Sequence, residues 1–522
     1  MSGELALGIR REKYLAGHCQ HIPFNILHRY LPFALLMLVA VIVRSPAYGN
    51  PDVGLDEQFY LVVADRMMHS ALPYVDIWDR KPIGLFLIYA ATRLLGGDGF
   101  VQYQIVASLF SGATAGIIWL IARRSSNDLA GMAVGIAYLF WLNIYAGSAG
   151  QSPVFYNLPV ALAFALAFRA NELHDPKKIA RWGAIAMALC GLAIQIKYTV
   201  VAEGAFLGLW FLWRLWTIGK NPLSITTTAI VYALLGLAPT LAVTCYYAAI
   251  GHFPEFAYAN FWSIFDRGRL DEGSLARAKS FLIFTSIPLQ IFLPFALLQR
   301  WMRDRRIGDQ KQFWLMAGWL IAAFCGFVMI GNFYDHYFLP MLPPIFICIA
   351  PLLKRPVVGL PLGAFLIIWA IVGTGYPDFA SNAAKHDAVS ELTASVRPYV
   401  EKDCLFVFDG PSALYMTTHA CAPTRFVYPD HLSNDVEKNA IGTDARQEMM
   451  RVLNSKPGAI VTASKPIVSH LNAANLSLLR HALTHDYRLV AAVSHPLRIY
   501  YVYARKDLAH GGIIGPAVPY AN

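Results

Sequence analysis

The sequence predicts a polytopic α-helical membrane protein of about eleven transmembrane helices, followed by a small water-soluble α/β domain at its C-terminal end. Three observations predict this. Of 522 residues, 56% are hydrophobic and only 15% charged, against roughly 25% charged in an ordinary soluble domain. The apolar residues gather in runs such as 31–43, 105–122, 129–145 and 362–372, several without a single charge, as a hydrocarbon core about 30 Å thick requires. From about Tyr376 onward the composition changes to dense charge, shorter apolar runs and several prolines.

The formal net charge of +10 would raise the question of nucleic acid in a soluble protein. Here the basic residues lie in short segments between apolar runs: Arg123-Arg124, Lys177-Lys178 with Arg181, Arg300 with Arg303, Arg305 and Arg306, and Lys354-Arg355. That is the pattern of cytoplasmic loops, so no nucleic-acid partner is expected. The first apolar run is preceded by Arg10, Arg11 and Lys13 and followed by Arg44-Ser45-Pro46 without a small-x-small cleavage site. It reads as an anchoring helix with a cytoplasmic N-terminus rather than a cleaved signal peptide.

With those clusters inside, every second loop must lie outside. Helix 1 covers about 30–48, and the next inner mark is Arg123-Arg124, so residues 49–99 form a long outer loop. The run 83–95 within it is too short to span and carries Arg93, which predicts an interfacial or re-entrant helix. Helices 2 and 3 occupy about 100–122 and 129–145, with an outer turn at 147–156 rich in Gly, Ser and Pro. The stretch 182–216 is too long for one span and breaks at Gln195-Ile196-Lys197-Tyr198-Thr199, which puts Lys197 at an outer tip. Helix 7 covers about 224–250, the outer loop 252–280 follows, and helices 8 to 11 alternate through Arg300–Arg306, Gly331–His336 and Lys354-Arg355. An odd number of crossings leaves the C-terminal domain outside.

The expected division is thus a transmembrane domain, 1–375, and an outer domain, 376–522. In the latter, 405–408, 425–428, 459–462, 488–493 and 499–503 read as strands, and 387–399, 444–453 and 472–485 have helical spacing. Of seven cysteines, Cys190, Cys245, Cys325 and Cys348 fall in expected spans, Cys19 lies near the N-terminus, and Cys404 and Cys421 are placed outside. In an oxidising compartment those two are expected to pair; two buried free thiols are the alternative. No cysteine spacing of a metal-binding type is present.

The first outer loop carries the candidate chemistry. It opens Asp56-Glu57-Gln58-Phe59-Tyr60 and continues Pro73-Tyr74-Val75-Asp76-Ile77-Trp78-Asp79-Arg80-Lys81-Pro82. Phe59, Val62, Val63 and Met67 share one helical face, which predicts a helix lying on the membrane surface with Asp56 and Glu57 at its N-terminus. There the helix dipole favours an ionised carboxylate, although an N-cap Asp and a first-turn Glu are also ordinary structural residues.

An acidic pair after the first span, a Pro-Tyr-x-Asp-x-Trp-Asp stretch and Lys-Pro before a short apolar run together resemble the GT-C class of integral membrane glycosyltransferases. Within it the chain is most similar to the branch of protein O-mannosyltransferases, the lipid A aminoarabinose transferase and rhizobial lipopolysaccharide galacturonosyltransferases. The resemblance extends to the tip around Lys197, to Phe333-Tyr334-Asp335-His336-Tyr337 with the following prolines, and to the outer domain. It implies a polyprenyl-phosphate-linked sugar as donor, a lipid or glycan acceptor, and transfer with inversion at the outer face of a bacterial inner membrane.

A phosphate leaving group needs no protonating acid, so one carboxylate acting as base on the acceptor hydroxyl suffices, whereas glycoside hydrolysis requires two. Asp56 matches the family's base and Lys81 the lysine of its Lys-Pro motif, placed to hold the donor phosphate. Arg80 is a further phosphate candidate, or a contact to lipid headgroups. Lys197 either snorkels or makes a second phosphate contact. Glu57, Tyr60, Asp79, His336 and Tyr337 are substrate-binding candidates. The sequence departs from the family pattern at 147–156, which has no carboxylate. No set of oxygen ligands for a hard cation can be assembled, so no metal or other cofactor is expected. The charged stretch 265–272 reads as a solvated loop. A transporter or lipid flippase, and a polysaccharide ligase with a lipid-diphosphate donor, are the competing readings.

Overall fold

A computed structural model describes residues 24–267, 272–280, 286–509 and 520. Arg10, Arg11, Lys13, Cys19 and the Gly268–Asp271 stretch of the charged outer loop lie outside the described residues.

The first helix, α1 (Phe24–Arg44), is followed by two helices of the segment expected as the first outer loop, α2 (Leu55–Met68) and α3 (Ile83–Arg93). Then come α4 (Phe100–Ser125), α5 (Asp128–Ile144), α6 (Ser152–Ala170), α7 (Pro176–Ile194), α8 (Val201–Thr217) and α9 (Pro222–Ala249). Short helices α10 (Phe253–Ala257) and α11 (Glu272–Ser280) lead to α12 (Ile287–Ile307) and α13 (Lys311–Val328). A 3-10 turn (Asp335–Met341), α14 (Leu342–Ile349), a second 3-10 turn (Ala350–Lys354) and α15 (Pro356–Thr374) complete the apolar region. Among the described residues, seven segments are long and apolar enough to cross a membrane by length and composition. The chain is a multi-pass membrane protein.

The bundle is held by α4, which packs on α1, α5 and α6, and by α7, which packs on α6, α8 and α9. Its outward surface is apolar. Along α9 only Tyr232 and Tyr247 are buried, while Leu223, Ile230, Leu234, Leu237 and Leu241 stand exposed. A helix of this length whose backbone bonds are internal and whose leucines face outward is built for hydrocarbon. Arg44, inside the bundle, is paired: it donates to the carbonyls of Gly147, at 2.5 Å, and Ala149, which pins the end of α1 to the second outer loop.

The α2 helix corrects the expectation of a surface-lying amphipathic helix. Glu57 through Ala64 are all buried, because the outer domain covers the face expected to meet solvent. Its neighbour α3 does have one buried face (Leu85, Phe86, Tyr89), with Leu87 exposed on the other side and Leu94 and Leu95 exposed just past its end.

The C-terminal region begins with α16 (Phe379–Val396) and contains β1 (Leu405–Val407), α17 (Leu414–Thr417), α18 (Asp430–Ser433), α19 (Ala445–Asn454), β2 (Ala459–Ala463), α20 (Ala473–Asp486), β3 (Tyr487–His495) and β4 (Arg498–Arg505). The strand order is β1-β2-β4-β3. Phe406 is registered with Ile460 in the parallel β1–β2 pair, and Ile460 with Tyr503 in the antiparallel β2–β4 pair. The parallel pair needs a crossover, and α17, α18 and α19 occupy it. Cys404 and Cys421 are joined by a disulfide with Cα atoms 4.5 Å apart.

Residues 425–428, expected as a strand, are irregular. The Arg425 carbonyl accepts from the Trp78 N–H of the first outer loop at 3.0 Å instead of entering a ladder. This seam between loop and domain continues where the Ala413 N–H donates to Gln58 Oε1 at 3.2 Å and Arg66 to the Ala420 carbonyl at 2.6 Å.

Candidate active site

Four stretches far apart in sequence meet where α2 begins. Gly54 caps α2 in extended conformation, and a Cβ there would collide with the Glu57 carboxylate. Asp56 and Glu57 therefore enter the site side by side in the first helical turn. Asp56 Oδ1 accepts a hydrogen bond from the Tyr428 hydroxyl at 3.1 Å, and Oδ2 accepts from Gln151 Nε2 at 3.2 Å. The same Gln151 amide reaches Glu57 Oε2 at 3.2 Å. His336 Nε2 stands 3.9 Å from Asp56 Oδ2.

The two carboxyl groups are driven apart electrostatically. Burial pushes Asp56 up, but Lys81, His336 and the bonds from Gln151 and Tyr428 outweigh it and hold the carboxyl well below the usual range. Glu57 is raised to about 8 by burial and by the charge of Asp56. At neutral pH the pair is thus one carboxylate and one carboxylic acid, the separation of roles seen where two acids share a site.

Lys81 lies beside this pair. Its Nζ is 3.8 Å from Asp79 Oδ2 and 5.1 Å from the centre of the Tyr60 ring. Burial disfavours its charge, but Asp79 and Asp56 more than restore it, and the ammonium is raised above its ordinary value. Asp79 is itself buried and pushed upward by that burial. The α3 start approaches the α7–α8 tip so closely that a Cβ on Gly84 would fall 2.6 Å from the Gln195 carbonyl oxygen, and the Leu85 N–H bonds to that carbonyl at 3.2 Å. That contact brings Lys81 and Lys197 together. Lys197 is buried, with Nζ 3.9 Å from the centre of the Tyr337 ring. Burial and Lys81 lower it to about 7. Below it a small cavity is lined by Tyr156, Thr199, Glu203 and Tyr337, and Glu203 is held by Trp319 Nε1 at 3.0 Å.

The structure thus gathers Asp56, Glu57, Tyr60, Asp79, Lys81, Lys197, His336 and Tyr337. Arg80 lies within electrostatic reach of Asp79, Lys81 and Tyr337 but is turned to another partner. Its guanidinium makes a forked pair with Glu437 at 3.0 and 2.5 Å, and Arg267 joins the same carboxylate at 2.6 Å. Sequence reasoning misses Gln151, Tyr428, Glu437 and Arg267. Gln151 sits in the loop noted for lacking a carboxylate; an amide fills that place. Tyr428 and Glu437 lie in the outer domain and carry no local signal. Among the described residues no group of three or more His, Cys, Asp or Glu side chains is arranged to hold a metal ion.

Residues 79–243 match the family described as dolichyl-phosphate-mannose-protein mannosyltransferase. Two undecaprenyl phosphate-alpha-4-amino-4-deoxy-L-arabinose arabinosyl transferases of Pseudomonas fluorescens are similar. That of strain Pf-5 is 25% identical over 283 residues (51% of this chain, 48% of the relative), and that of strain Pf0-1 is 25% identical over 308 residues (56% and 52%). The sequence match therefore spans about half the length of these relatives. Two crystal structures of ArnT from Cupriavidus metallidurans superpose on 93% of this chain and 99% of theirs. The apo form gives a TM-score of 0.62 at 15% identity, and the form bound to undecaprenyl phosphate 0.61 at 14%. By its architecture the chain carries the fold of the GT-C class of integral membrane glycosyltransferases.

Proposed function

We propose that the protein is an inverting glycosyltransferase that moves a monosaccharide from a polyprenyl-phosphate donor to an envelope acceptor, lipopolysaccharide or another glycan or protein, on the outer face of the bacterial inner membrane. The observation that carries this reading is one carboxylate, Asp56, held on both oxygens and set beside the half-buried Lys81 and the buried Lys197. The similarity to arabinosyl transferases using undecaprenyl phosphate sugars supports it.

In this mechanism Asp56 takes the proton of the acceptor hydroxyl as its oxygen attacks the anomeric carbon. The bond from that carbon to the phosphate oxygen breaks, and the electron pair leaves with the phosphate. Lys81 and Lys197 meet the charge that develops there. Glu57, neutral at pH 7, keeps a second negative charge out of the region that must receive a phosphate. The donors around Asp56 are an amide, a phenol and one imidazole, a poor set for a hard cation, so we infer a reaction that uses no metal or other cofactor. The ionisable groups gather at the outer helix ends, and even Glu203 lies in the first turn of α8; a transport pathway would need them at mid-span.

The same reading takes eleven crossings, a transmembrane domain over residues 1–375 with outer loop 49–99, a cytoplasmic N-terminus and a periplasmic domain over residues 376–522. Tag accessibility at the C-terminus checks the orientation. Asp56→Asn keeps the shape but cannot accept the proton, so transfer should fall about a hundredfold to ten-thousandfold. The measurement is mass spectrometry of envelope glycolipids from a deletion strain complemented with the variant. Modification within a few-fold of wild type overturns the reading.

A further inference from the structure

Asp56 stands at the mouth of the membrane domain, yet one of its two oxygens is held from a position 372 residues away, by the Tyr428 hydroxyl. The phenol is not there by accident of a loose loop. Its ring lies 5.1 Å from Phe59 and 5.4 Å from His431, centre to centre. Upstream, the segment is tied by the Cys404–Cys421 disulfide and by the Trp78 N–H to the Arg425 carbonyl. Downstream, Glu437 grips Arg80 of the first outer loop.

We propose that Tyr428 is a positioning residue for glycosyl transfer, and that through it the outer domain helps to form the active site. The inference rests on Asp56 as the base. A carboxylate accepting on one oxygen only can turn about its Cβ–Cγ bond; with Tyr428 on Oδ1 and Gln151 on Oδ2 its plane is fixed. The remaining lone pairs then point where a proton is to be received, and small errors of aim are costly in such a transfer. Around Asp56 stand Lys81, Lys197 and His336, and the acids Glu57, Asp79 and Asp430. Tyr428→Phe changes none of them and keeps the ring against Phe59 and His431. It removes one hydroxyl.

The experiment compares the full-length wild type, Tyr428→Phe, Asp56→Asn and the double variant in membranes of a deletion strain. Initial rates of glycolipid modification are read by mass spectrometry. Loss of a hydrogen bond to a charged group should slow Tyr428→Phe by about ten- to a hundredfold, with thermal midpoint and undecaprenyl phosphate binding unchanged. In the Asp56→Asn background the second substitution should cost nothing further, because Tyr428 acts through that carboxylate. A further loss there, or a Tyr428→Phe rate within twofold of wild type, overturns the inference. Wild-type rates in Asp56→Asn overturn the base assignment and this inference with it, whereas an inactive Asp56→Asn beside a normal Tyr428→Phe removes the inference alone. If the Asp56→Asn background is too slow to time, infrared difference spectra of wild type minus Asp56→Asn isolate the carboxylate stretch. That band should shift in Tyr428→Phe, and an unmoved band overturns the proposal.

Discussion

Glu437 offers the sharpest test of how the outer domain is fixed to the membrane domain. Its carboxylate is 2% exposed and faces two guanidinium groups, Arg80 at 2.5 Å and Arg267 at 2.6 Å. Burial pushes the group up, but Arg80 and Arg267 overcome this and bring it down to about 2, while the same pairing raises Arg267. A carboxyl whose pKa falls from its ordinary 4.5 to about 2 on folding contributes on the order of 3 kcal/mol at neutral pH, at 1.36 kcal/mol per pH unit. The independent expectation for removing one partner of a buried ion pair is about 3–5 kcal/mol, since uncompensated charge is left behind. Glu437→Gln keeps the volume and leaves two half-buried guanidinium groups facing each other without their carboxylate, so it should destabilise by about 3 kcal/mol. The sign with pH follows from the depressed pKa. The contribution is fully present above pH 4.5 and is lost as pH falls toward 2, so the gap between wild type and variant should be constant from pH 8 to about 5 and shrink below that. Unfolding of the detergent-solubilised protein, followed by intrinsic fluorescence across that range, measures it. A variant within about 0.5 kcal/mol of wild type at pH 7 would refute the reasoning, as that is the size typical of a surface pair.

Two further outcomes follow from the site. Lys81→Ala should weaken dependence on donor more than on acceptor, because charge-assisted contacts to a phosphate are among the strong ones; kinetics with each substrate varied decide it, and unchanged donor dependence would move the phosphate site to Lys197. Replacing Cys404 and Cys421 by serine opens a loop with sequence separation 17, which should cost about 3 kcal/mol by loop entropy. It should also loosen the 421–428 segment, read as faster proteolysis there; unchanged stability and protection would show that packing alone holds it.

What can be read from the sequence divides along the range of the interactions. Asp56, Glu57, Asp79 and Lys81 share one stretch of the chain, and their proximity in space follows their order in the resemblance that singled them out. Lys197 stands out because a charge between apolar helices is costly unless something receives it, and His336 only through the resemblance of the 333–337 stretch. Arg80 shows the limit. It and Lys81 are sequence neighbours of like charge, both in a bend of the chain. One faces Asp79 and Tyr60, the other Glu437, and nothing local says which side chain takes which partner. The burial of α2 escapes sequence reading for a related reason. Its pattern is that of a helix with one apolar face, but the opposite face is covered by a domain that begins about 300 residues later in the chain, so Gln58 binds the Ala413 N–H rather than water. Residues 425–428 have strand-like composition, yet the backbone partner is Trp78 and not a neighbouring strand. In each case the miss falls on the seam between outer loop and outer domain. That seam also supplies Tyr428 and Glu437, which makes the least legible stretch of the chain the one that closes the site.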